Sequence, residues 1–183
     1  MTKHIKIWRR DSNTAADFYY KVFEYYRKKH NITVLRWISS ENTIAIAYPD
    51  ERSIVVRQPL NPRDLYVALH EIGHCVKQLR KHVYLSEYLA EQWSLNILKK
   101  IGVNCNRFEN RAKVYVLFFL LHEYRCGLVD KKDIKSEVLN WLDITKSQLD
   151  NVHLMRSYSA AHKSSKYFKS LRKQSKQLLP SVI

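Results

Sequence analysis

Apolar residues recur at helical spacing along most of this chain, and at strand spacing only between residues 33 and 58. Ala15, Phe18, Tyr19, Val22, Phe23 and Tyr26 place a first helix over residues 13–30, with Ser12 or Asn13 as its cap. Three runs rich in β-branched and aromatic residues follow, at 33–38, 43–48 and 53–58. The turn Pro49-Asp50-Glu51-Arg52 makes the last two a hairpin. Asn61-Pro62-Arg63-Asp64 then opens a second long helix. Asparagine caps, proline suits the first helical position, and the acid favours the positive end of the dipole. Leu65, Leu69, Ile72, Val76 and Leu79 form one apolar stripe along it.

The pattern stays helical from there. A helix over about 86–101 carries Leu85, Leu89, Trp93 and Ile97 as its expected buried ridge and stops at Gly102. Another, over about 107–125, carries Val114, Leu117, Phe118 and Leu121 and ends at Gly127. Residues 130–151 read as two short helices, capped by Asp130 and Thr145. The fold class expected is α+β. Three segments are expected: a core over 1–128, a small helical unit over 129–155, either a plain hairpin or a helix-turn-helix-like pair, and a basic tail over 156–183.

Chemistry enters on the second long helix. His70 and His74 lie one turn apart in His70-Glu71-Ile72-Gly73-His74, off the apolar stripe, so both imidazoles reach one metal ion. Glu71 points beside that ion, where it can take a proton from a water the metal has acidified. A catalytic zinc takes three protein ligands and keeps one open position. Glu87 is the candidate third ligand, on a helix running back, and Glu91 one turn further can accept a hydrogen bond from a ligand histidine. His82 is the rival ligand. Tyr84, Tyr88 and Tyr124 are equal candidates to stabilise an oxyanion.

The stretch from Ala68 to His74, followed by Glu87-x-x-Ala90-x-x-Trp93-Ser94, resembles the zincin metallopeptidases of the ImmA/IrrE type. The Glu87-x-x-Ala90-Glu91 segment is also similar to the catalytic domain of anthrax lethal factor, another zincin with a glutamate ligand. The resemblance implies a minimal zincin domain: a helix, a small sheet, the HExxH helix and a glutamate-bearing helix, with further helices behind. It implies one zinc held by His70, His74 and Glu87, with Glu71 as general base. It departs from the pattern at Leu89 and Glu91, where the family often has glutamate and asparagine. A metzincin would need histidine at position 80, which is Arg80.

Charge and composition narrow the setting. The formal net charge of +15 is carried by the ends: residues 1–36 hold nine Lys/Arg and three acids, and residues 151–183 hold seven and none. Arg156, Lys163, Lys166, Lys169, Arg172, Lys173 and Lys176 form a basic tail in which lysines 163, 166, 169 and 173 are expected on one helix face. Such a stripe can track nucleic-acid phosphates, grip an acidic partner or aid solubility. Three cysteines without CxxC spacing read as reduced thiols. The longest apolar run, 114–121, is too short to span a bilayer, and no signal peptide is read at the start. The expectation is a cytoplasmic zinc endopeptidase acting on a protein partner, which the family resemblance implies is a transcriptional regulator. The alternative is a nucleic-acid-binding regulator on a zincin scaffold.

Overall fold

The computed structural model describes residues 12–39, 44–77 and 81–169. Its order is α1 (Ala15–Lys29), β1 (Thr33–Trp37), β2 (Ile46–Tyr48), β3 (Ser53–Val56), α2 (Pro62–Lys77), α3 (Val83–Lys100), α4 (Asn106–Arg125) and α5 (Ser136–Leu142). A 3-10 turn (Lys146–Asp150) and α6 (Leu154–Ala161) follow. The fold is α+β with a small mixed sheet, as the periodicity led one to expect.

The chain forms two compact units, one of residues up to 79 with 89–105, the other of 80–88 with residues from 106 onward. In the first unit, α1 begins at Thr14, whose hydroxyl accepts from the Asp17 amide, so the cap falls one residue past the expected pair. Phe18, Val22 and Phe23 are its buried face. At its far end Arg27 grips Glu24 through two 2.7 Å bonds and donates a third, at 3.0 Å, to the Ile32 carbonyl. That clamp ties the helix exit to the strand that follows.

The sheet order is β1-β3-β2, with β1 parallel and β2 antiparallel to β3. The expected hairpin is therefore present, though β2 is only three residues long. The register slips between Val34 and Arg36, leaving Leu35 as the extra residue of a bulge, half exposed. All four residues of β3 are buried. A central strand covered on both faces has no reason to alternate, which explains why its sequence does not. Helix α2 packs on α1, β2 and β3. Its stripe residues Leu65, Leu69 and Ile72 are fully buried, each contributing roughly 1.5–3 kcal/mol of burial free energy. Leu79 and Arg80 lie outside the described residues.

Helix α3 starts a turn earlier than its sequence suggests, and its cause is remote. The Glu123 carboxylate accepts from the Val83 amide at 2.8 Å and from the Tyr84 amide at 3.4 Å, and so caps the helix from a distant part of the chain. The expected ridge is also different. Of that ridge Ile97 is buried as expected, but Leu85, Leu89 and Trp93 are only partly covered, whereas Ala90, Ser94, Leu98 and Ile101 are buried. Small residues on this face admit a neighbouring backbone that leucines would keep away.

The second unit packs α4, α5 and α6 around Val114, Leu117, Leu120, Leu121, Val138 and Leu142. Helix α4 ends as expected, at Gly127 with φ of 69°. Asp130 is not a helix cap; α5 begins at Ser136, after a turn in which the Asp133 amide bonds to the Asp130 carbonyl at 2.9 Å. Thr145 does cap the 3-10 turn, with Gln148 Oε1 accepting from the Thr145 amide at 2.7 Å. Among the described residues no helix is long and apolar enough to cross a membrane.

Candidate metal centre

Helices α2 and α3 come close because of two small residues. A Cβ built on Gly73 would lie 3.0 Å from Ala90 Cα and 3.1 Å from its carbonyl oxygen. Only glycine lets the two backbones meet here. Gly73 is flanked along its helix by His70 and His74, and Ala90 lies between Glu87 and Glu91 on the other. The same contact that packs the helices therefore sets the spacing of every candidate ligand.

The His70 and His74 Nε2 atoms are 3.0 Å apart, with their rings nearly perpendicular. A ligand oxygen of Glu87 completes a set whose three donor atoms all lie within 4.8 Å of one another. Two imidazoles and a carboxylate converging in this way could hold a metal ion. His70 is buried and His74 half-buried, so the donor set can bind a metal ion from one side while the other is covered.

Behind His70 stands a second layer. Its Nδ1 lies 3.4 Å from Glu91 Oε1, and the other Glu91 oxygen accepts a hydrogen bond from the Tyr66 hydroxyl. Glu91 is only 4% exposed. A carboxylate in this place could accept from an Nδ1 proton, which would leave Nε2 to a metal. The spacing does bring Glu91 beside His70. Tyr66 was missed; its signal was its place one turn before His70, on the same helix face.

Glu71 is 8% exposed. It sits one turn before Cys75, whose buried thiol is pushed up to about 11, first by burial and then by the Glu71 charge. Cys75 itself faces the Ser53 carbonyl and reads as core.

The rival residues fall elsewhere. His82 lies 3.9 Å from Glu123, at the start of α3, and is absent from the converging set. The Tyr124 hydroxyl donates to Asp150 at 2.6 Å, Tyr84 is sealed in the hydrophobic cluster, and the Tyr88 ring meets Trp141 edge-on. In the basic tail, Arg156, Lys163, Lys166 and Lys169 are exposed. Lys163 is in a left-handed turn (φ 50°) between α6 and the helical residues 165–169, which breaks the single helix face expected for these lysines. Arg172, Lys173 and Lys176 lie outside the described residues.

No protein-family profile, curated protein or solved structure matches the chain.

Proposed function

We propose that this protein is a zinc-dependent endopeptidase of the zincin kind, acting on a protein partner. The observation that carries the reading is the convergence of His70, His74 and Glu87 on two helices, with Glu71 beside them. His70, His74 and Glu87 would hold the zinc ion, which when bound would supply Lewis acidity. Glu91, anchored by Tyr66, holds the His70 ring in orientation. Glu71 accepts the proton of the attacking water on its carboxylate and delivers it to the leaving amine nitrogen. Its burial keeps solvent from competing for that proton.

The deciding experiment is Glu71→Gln, compared with wild type for zinc content and for cleavage of a partner protein captured from cells. The variant keeps its metal and loses cleavage by ~10²–10⁴-fold, the usual scale for a positioned general base. Equal fragment yields from both proteins, each holding zinc, would reject the peptidase and leave a binding protein on the same scaffold.

A further inference from the structure

The second unit contains a cleft that the metal chemistry does not use. It has a volume of about 740 Å³ and lies between the last turns of α4 and the start of α6, with Phe168 closing one side. Its floor is apolar: Leu121 and Met155 are 3% and 6% exposed, and Phe118 is half-buried against the same cluster. The rim is of opposite character. Arg125, Arg156, His122 and His153 all line it.

No acidic residue lines this cleft among the described residues. The nearby acids are held elsewhere. Asp150 is bound by Lys131 and by the Tyr124 hydroxyl, and Glu123 caps α3. Arg125 donates to the Asn151 carbonyl at 3.3 Å, which leaves most of its fork of five donors open. Two guanidinium groups at one mouth favour an oxyanion, which each can grip in a planar, two-pronged fashion.

We propose that this cleft is a binding site for a small amphiphile with an oxyanion head, a carboxylate or a phosphate, on an apolar body. The head meets Arg125 and Arg156, and the body lies on Leu121, Phe118 and Met155. The size suits a small molecule, since ligand pockets run to roughly 300–1,000 Å³. A flat patch of arginines would take any polyanion; a cleft with an apolar floor selects one with a tail. The site stands whether or not the metal centre is a peptidase.

The cleft carries its own reporter. Cys126 lines it and is exposed, 3.9 Å from His122 Nδ1, whereas Cys75 and Cys105 are buried. Alkylation of the folded protein by N-ethylmaleimide therefore reads Cys126. Rates are measured with decanoate, decyl phosphate, decanol or a polyglutamate peptide present at submillimolar concentration. Decanoate or decyl phosphate should slow the reaction by about 10-fold, and the better of the two identifies the head group. Arg125→Gln/Arg156→Gln, both exposed positions, should abolish that protection without changing the melting temperature. Equal protection by decanol or polyglutamate, or none from either anionic amphiphile, would overturn the proposal.

Discussion

Replacing Gly73 by alanine adds one methyl group at the closest approach of α2 and α3. That carbon would meet Ala90 Cα at 3.0 Å, its carbonyl oxygen at 3.1 Å and its Cβ at 3.3 Å. Carbon pairs are most favourable at about 3.5–4.0 Å, so the helices must part by a few tenths of an ångström. Alanine gains about 0.8–1.0 kcal/mol over glycine in a helix interior, and overpacking costs about 1–3 kcal/mol. The net loss is about 1 kcal/mol, or ~2–4 °C in melting temperature for a chain of this size. Metal affinity should suffer more, because ligand distances tolerate only ~0.2 Å. Thermal melts of the metal-free protein and zinc titration against a chelator separate the two effects. We expect about a tenfold weaker zinc complex from a variant that still folds. Ala90→Gly should rescue it only in part, since the two nearest contacts are to backbone atoms. Unchanged zinc affinity in Gly73→Ala would show that this contact does not set the ligand spacing.

Four further outcomes follow from the geometry. His70→Ala, His74→Ala and Glu87→Ala should each lose bound zinc by metal analysis, whereas His82→Ala, outside the converging set, should keep it. Glu91→Ala should weaken zinc by roughly 10–100-fold. Tyr66→Phe should weaken it less, and not at all in the Glu91→Ala background, because its hydroxyl acts through that carboxylate. Glu123→Gln should cost about 1 kcal/mol in denaturant unfolding, the scale of a lost helix cap. Glu24 is held below its usual range, chiefly by the hydrogen bonds from Arg27. Its stabilising effect is thus present above the unfolded carboxylate pKa and lost as pH falls through the lower folded value. The stability gap between wild type and Glu24→Gln should close on acidification below about pH 4.

The parts of the fold readable from sequence are those set by local chemistry. Asn61 Oδ1 accepts from the Arg63 and Asp64 amides at 3.0 Å, as the capping rule requires, and Leu65, Leu69 and Ile72 of the α2 stripe are buried as their period indicates. His70, His74 and Glu87 converge because helical spacing and one reversal of direction suffice to place them. What could not be read is set by distant partners. Helix α3 begins at Val83 on account of a carboxylate 40 residues away. Its buried face follows Ala90 and Ser94 because a glycine on another helix approaches there. Tyr66 looked like any half-apolar helix residue until Glu91 was folded against it.

The remote cap of α3 also has a consequence in time. During synthesis the Val83 and Tyr84 amides leave the ribosome well before Glu123 exists to receive them. At about 5–20 residues per second the delay is ~2–8 s. Through that interval the first turn of α3, one turn short of Glu87, lacks the carboxylate that holds it wound. The histidines of α2 are already made, whereas the cap of the helix that carries Glu87 comes only with α4. The start of α3 thus acquires its cap only from the chain's second half.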